Sequence, residues 1–535
     1  MAARIDHTTH PFGTAHFSGL EEVARAGMFT RSRDSLLVGF LGGRPLFYSG
    51  MGGGVCVAGA RSGKLRDLIG YNICDGMYAG TLLILDIKGG ELAAISRCQS
   101  VGPKACIYWN PLGLHDLPKN RINPVDFVRA NSPTLVSDTK LLCENLITAS
   151  GSGNAAYFEG RAREFLEAVI LTLVRVEGVL TLPALYRIVN LMVAGGEAWL
   201  DFAFEMTESG FAIAERVEEE IANAREDSSG GFKGILGEVT RAFSALSDPI
   251  LMESVSPPYD FSFADLCQSD QAYNVYLLPP ADFVTAWAPV VKSMFVAAQI
   301  YKARAPAAPR QTWLLDECGQ LGKFPLVVSA FTKDAGTGIR PWAFFQSIKQ
   351  ISDLGQNAQD KILSSAALQN WFGVRDETTA ALLSRMLGQR TIHYTDERRR
   401  EAARHAHARA AVSMFHGGDP FRAGLELTHQ ARLAHLPELK QLPLASVDEL
   451  LAMPGDRQVI FADGLGRPLW AEKQPYYEQP FMARRAHPNP FHGPNSHVQV
   501  MTPRGPAWRP VITAPVPAHL AHLPQYANGT WSTIG

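Results

Sequence analysis

The stretch 55-VCVAGARSGKLRDLIG-70 decides how the rest of the chain is read. Its first residues are apolar and short enough for one buried strand. A turn of small residues follows, and Gly63-Lys64 opens a run with helical spacing. A strand, a curled turn and a helix N-terminus point several backbone N–H groups at one spot, and that spot accepts a phosphate. The general pattern of such loops is G-x-x-x-x-G-K-[ST]. Here Ala58 replaces the first glycine and Leu65 the final Ser or Thr. Gly59, Ala60, Arg61, Ser62, Gly63, Lys64 and Leu65 are therefore the candidate phosphate cradle, with Lys64 reaching the outer phosphates of ATP. Leu65 brings no hydroxyl to a magnesium ion. Taken alone, the motif also fits a chance Ser-Gly-Lys turn.

Working outward, 313-WLLDECGQLG-322 runs an apolar strand straight into Asp316-Glu317. Carboxylates at the carboxyl end of a buried strand are costly unless used or paired. In a phosphate-loop enzyme such an Asp orients water on magnesium, and the next Glu polarises the attacking water. A surface turn is the plain alternative. In 342-WAFFQSIKQ-350, Gln346 ends another apolar strand, where its amide can sense a γ-phosphate or simply bond its neighbours. In 84-ILDIKGGEL-92, Asp86, Lys88 and Glu91 follow a strand end and read equally well as a solvated turn.

The remaining sequence sets the frame. The 535 residues are 46% hydrophobic and 19% charged with a net charge of −2, which is ordinary globular material with room for two or three domains. Near-neutral charge carries no global nucleic-acid signature, although a narrow channel needs only local positive charge. Seven scattered cysteines with no C-x-x-C pair fit a reduced compartment without structural zinc. No stretch reads as a signal peptide or a membrane span, so a cytoplasmic protein without a transmembrane segment is expected.

Residues 1–35 read as an entry arm and 36–129 as the first part of a nucleotide-binding domain. Residues 130–250 change to long helical periodicity, an inserted all-α domain. Residues 251–480 resume strand–helix alternation as the second part of the nucleotide-binding domain. That alternation predicts an α/β fold with a mostly parallel sheet. "RINPVDF" (121–127) reads as a short strand with a turn, and 456–477 as a closing hairpin. The Pro- and His-rich 481–535 is expected to be extended or disordered. The basic stretch 396–411, with His405 and His407, would contact DNA phosphates or be a solvated segment.

These pieces, in this order, resemble the TraG/TraD-type coupling proteins of type IV secretion and conjugation. The family's LDPKGEL resembles LDIKGGEL here. Its NP-D resembles Asn123, Pro124 and Asp126, and its YF---AR resembles Tyr157, Phe158, Ala162 and Arg163. Its LLLDEF--LG resembles Leu314–Gly322, and its FG--D-ETA---S--LG resembles Phe372–Gly388. The resemblance implies a RecA-like, P-loop ATPase domain using ATP and Mg2+, with Lys64, Glu317 and Gln346 catalytic and Asp316 holding magnesium through water. It also implies a homo-hexamer that docks on inner-membrane components of the secretion machine, peripheral to that membrane, and drives transfer of relaxase–DNA (single- or double-stranded) or protein substrate. The chain departs from the pattern in three ways. The membrane-spanning region usual at the family's N-terminus is not seen. Leu65 stands at the metal-ligand position. Ala335 stands where an arginine reaching a neighbouring subunit is common, with Lys333 or Arg340 as substitutes. A non-hydrolysing recruitment receptor with a degenerate phosphate loop is the alternative reading.

Overall fold

The computed structural model describes residues 11–148, 153–226, 231–268, 271–394, 397–415, 421, 424–425, 428–429 and 438–535. Its strands are β1 (Leu36–Leu41), β2 (Arg44–Tyr48), β3 (Gly54–Ala58), β4 (Thr81–Leu85), β5 (Ala105–Trp109), β6 (Tyr273–Leu277), β7 (Gln311–Asp316), β8 (Ile339–Phe345), β9 (Leu368–Phe372), β10 (Gln389–Tyr394), β11 (Glu438–Pro443), β12 (Arg457–Ala462), β13 (Leu469–Glu472), β14 (His497–Thr502), β15 (Gly505–Pro515) and β16 (Thr530–Ile534). An 11-stranded sheet runs β2-β1-β13-β12-β9-β3-β8-β7-β4-β6-β5.

From β9 to β5 every pairing is parallel, and β12, β13, β1 and β2 add an antiparallel margin. The TLLIL of β4 and the QTWLLD of β7 are buried along their whole length, as strands covered on both faces must be. The helix Val284–Arg304 packs behind them, with Phe295 and Trp313 rings 5.3 Å apart. Among the described residues, Ala281–Arg304 is the one helix long and apolar enough to cross a membrane. It is 72% buried over its most apolar stretch, as a core helix is.

Helices run from Leu135–Leu146 to Pro249–Ser254, around the long helix Gly153–Glu177. Thr181 accepts from Ala184 N, and Asp248 from Ile250 N, so two of these helices start on side-chain caps. "RINPVDF" is not a strand. Ile122 makes an isolated bridge to Phe261, and Asn123 donates to Leu180 O, tying the insertion to the sheet domain.

The segment 481–535 also departs from expectation. It forms the antiparallel sheet β14-β15-β16 and folds back on the edge strand β5. Gln525 accepts from Cys106 N and donates to Lys104 O, at 2.9 and 2.8 Å, and so satisfies part of an otherwise open sheet edge. Leu520, Leu523 and Tyr526 pack on Ala105. Composition suggested disorder, but a few apolar anchors and a borrowed edge suffice to order the segment.

His487 sits at the root of this segment. Its backbone N donates to Ile95 O and its ring Nε2 to Ser532 O. Burial, reinforced by nearby Arg97, pulls the imidazole down to about 4. The unfolded chain binds the proton near the ordinary value of about 6.5. The docked segment is therefore fully stable above that pH and loses stability as pH falls towards 4, by up to about 3 kcal/mol. Hydrogen-exchange protection factors in β14–β16, with the intrinsic pH dependence of exchange divided out, should fall from pH 7.5 to pH 5, and His487→Gln should flatten that dependence. An equal fall in the variant would remove His487 as its source.

Candidate nucleotide site

The carboxyl ends of β3, β8, β7 and β4 meet on one edge of the sheet, because these strands are parallel neighbours in near-even register. That is the edge where open α/β sheets bind ligands. The loop after β3 is held by its own backbone: Ser62 N and Oγ both donate to Gly59 O. Arg61 has φ 57° and Gly63 φ 96°, which curls the turn. A Cβ on Gly59 would lie 2.3 Å from Gly373 O, and one on Gly63 2.3 Å from Asp67 Oδ2. Gly59 is thus required by space, and Gly63 by its left-handed backbone. The helix expected from about 63 begins as a π-helical turn, Leu65–Ile69, and continues as Gly70–Ile73.

Lys64 is buried. Its Nζ donates to Ala58 O and to Glu317 Oε1, each at 3.3 Å. Glu317 Oε1 also accepts from Gln346 Nε2 at 2.8 Å and pairs with Lys88 Nζ at 2.8 Å, and Gln320 Nε2 donates to its other oxygen. Lys88 reaches Asp316 Oδ2 as well, at 3.2 Å. Burial raises the Glu317 carboxyl, but Lys88, Gln346 and Lys64 outweigh it and hold the group down to about 2. Asp316 moves the other way: burial pushes it up against the pull of Lys88 and Lys64. Burial also lifts Asp86, at the end of β4, to about 7.

Lys64, Asp316, Glu317 and Gln346, which end or follow three different strands, β3, β7 and β8, are therefore brought together. Lys88 joins them, although its sequence context read equally well as a solvated turn. Asp316 Oδ1 and Asp86 Oδ1 are buried without a hydrogen-bond partner. Such orphaned carboxylate oxygens fit water molecules on a divalent cation. Leu65 offers no oxygen, so direct ligation from the loop is unavailable, and the fit is to a metal held through water at Asp316.

Sequence reading missed Lys473, at the end of the β12–β13 hairpin. Its Nζ donates to Ser62 O at 2.7 Å and to Asp67 Oδ2 at 3.1 Å and stands 4.1 Å from the Phe372 ring centroid. Nothing in "AEKQPYY" distinguishes it from a surface lysine. Arg340 is excluded as a residue reaching a neighbouring phosphate. It is 1% exposed, lies at the start of β8, away from the site, and is consumed by Thr312, Gly50, Asp34 and Tyr78. Lys333 is exposed, and Ala335 lies in the short turn Asp334–Thr337 before β8. The basic stretch is helical from Glu397 to Phe415, with His405 and His407 exposed; residue 396 lies outside the described residues. Among the described residues no three His, Cys, Asp or Glu side chains cluster as metal ligands.

A family profile described as "Type IV secretory system Conjugative DNA transfer" matches residues 20–413. The chain belongs to this family. It is a type IV coupling protein, with a RecA-like α/β domain and an all-α domain. VirD4 of Agrobacterium fabrum is 27% identical over 403 residues, 72% of this chain and 58% of that protein. The conjugal transfer protein TraG of Escherichia coli is 24% identical over 551 residues, covering 89% of this chain and 78% of that protein. The chain spans about half the length of the VirD4 relatives it matches. Among solved structures, the conjugative coupling protein TrwB superposes with a TM-score of 0.58 at 15% identity, over 86% of this chain and 96% of that one. At that identity the likeness speaks for the coupling-protein fold.

Proposed function

We propose that this coupling protein binds Mg·ATP in the Gly59–Leu65 cradle and hydrolyses it. The work drives relaxase–DNA or protein substrate into a type IV secretion machine, from a homo-hexamer seated at the cytoplasmic face of the inner membrane. The observation that carries the reading is the convergence of Lys64, Lys88 and Gln346 on one buried carboxylate, Glu317, beside a phosphate-loop turn. TrwB, a neighbour in fold, has been solved in complex with ADP and Mg2+, which supports nucleotide binding by this fold.

The chemistry follows from the contacts. Lys64 exchanges Glu317 for the outer phosphate oxygens when nucleotide enters, joined by the loop N–H groups. Glu317, ionised throughout the physiological range, is then free to take a proton from the attacking water. Gln346, in contact with Glu317, is positioned to orient that water and the γ-phosphoryl group. The new O–P bond forms as the bond to the ADP oxygen breaks, and the water proton ends on Glu317. Asp316 would hold magnesium through water, and the bound ion would supply charge neutralisation on the outer phosphates.

Leu65 and Ala335 each remove an assisting group, so slow turnover is expected. Leu65→Thr restores a hydroxyl at the metal position and should raise kcat by roughly tenfold, equivalent to about 1.4 kcal/mol of transition-state stabilisation. ATP turnover is measured with magnesium, with and without single-stranded DNA, for both proteins. DNA-stimulated turnover in the unaltered chain supports a motor. No turnover in either protein overturns the hydrolytic reading and leaves a recruitment receptor.

A further inference from the structure

We propose that Lys88 is the resident counter-ion of the metal position, and that the turn carrying it passes metal loading on to the C-terminal segment. The inference rests on the nucleotide site proposed above. Lys88 Nζ lies 3.2 Å from Asp316 Oδ2 and 2.8 Å from Glu317 Oε1, between the carboxylate that would hold the metal and the one assigned as the base. Its side chain is 39% exposed, whereas those carboxylates are 4% and 5% exposed. The ammonium therefore enters from the solvent side and has a path out. An ammonium and a hydrated divalent cation on one carboxylate repel each other, so metal loading displaces Lys88 from Asp316.

What moves with it is set by the turn. Gly89 and Gly90 both have positive φ, 66° and 74°, and bend the chain directly behind Lys88. His115 Nε2 donates to Gly89 O at 2.6 Å, and the His115 and Phe491 rings meet edge to face with centroids 5.9 Å apart. A Cβ on Gly89 would come within 3.2 Å of Phe491 Cζ, so the turn already fits closely under that ring. Asn489 donates to Glu91 at the far end of the turn. A displacement of Lys88 thus bears on residues 487–495, which lead into β14.

The test is the affinity of mant-ADP measured in EDTA and in magnesium, for the unaltered chain, Lys88→Met and Lys88→Arg. Without Lys88 and without metal, the two carboxylates repel the phosphates, while with metal they are neutralised and uncontested. The magnesium-to-EDTA affinity ratio should rise about tenfold in Lys88→Met and stay near the unaltered value in Lys88→Arg, which keeps the charge. Hydrogen exchange over 487–495 should quicken when the unaltered chain takes up Mg·ADP, and should already be quick in ligand-free Lys88→Met. An unchanged ratio in Lys88→Met overturns the counter-ion role, and loading that leaves exchange over 487–495 unchanged overturns the coupling. Absence of mant-ADP binding by the unaltered chain in either condition would remove the nucleotide site itself, and this inference with it.

Discussion

Glu317→Gln is expected to lower ATP hydrolysis by about 10²–10⁴-fold, the usual share of a positioned general base, while leaving nucleotide binding intact. The substitution keeps shape and volume in a pocket where the side chain is 5% exposed. The amide oxygen still accepts from Lys64 and Gln346, and the exposed Gln320 has only to turn its own amide over to accept from the new NH2 group. What is lost is the carboxylate that takes the water proton. Binding of a non-hydrolysable ATP analogue, set beside phosphate release, separates the two effects. Loss of binding together with loss of turnover would instead give Glu317 a structural role.

The second large effect lies beneath the loop. Lys473→Met should destabilise the nucleotide-binding domain by roughly 1–3 kcal/mol, because it removes one of the two cations paired with a buried carboxylate. Asp67 is 0% exposed and its Oδ2 is the Lys473 partner, while the same ammonium holds the Ser62 carbonyl of the cradle. Arg66 remains on Asp67, but from the solvent side with its own side chain 44% exposed. Methionine keeps the length of the stem and its packing on Phe372, so the loss isolates the charge. A lower melting temperature and weaker nucleotide binding should appear together. A variant that melts with the unaltered chain would mean that the pair contributes nothing net to the loop.

The parts of this site legible in the sequence were those written locally. A strand, a small-residue turn and Gly63-Lys64 lie within one stretch. Asp316-Glu317 and Gln346 each announce themselves as polar residues closing an apolar run. The parts that were not legible depend on which strands become neighbours. Lys88 is a turn residue until β4 pairs with β7, and only that pairing aims it at Asp316. Lys473 meets Asp67 across 406 residues of chain, and no local pattern marks it. Arg340 was readable in principle: it opens the strand that Gln346 follows, so the two lie at opposite edges of the sheet, and the ligand edge is the carboxyl one. The C-terminal segment was misjudged because composition measures how much apolar surface is available. Gln525 on the open edge of β5 supplies what composition does not count.

The most direct measurement is magnesium-dependent phosphate release from ATP by the unaltered chain, with Glu317→Gln run in parallel under the same conditions. Release by the unaltered chain, and its collapse in the variant at undiminished nucleotide binding, is the result predicted here. Equal release by the two proteins would contradict the assignment of Glu317 as the base, and with it the site around which this account is built.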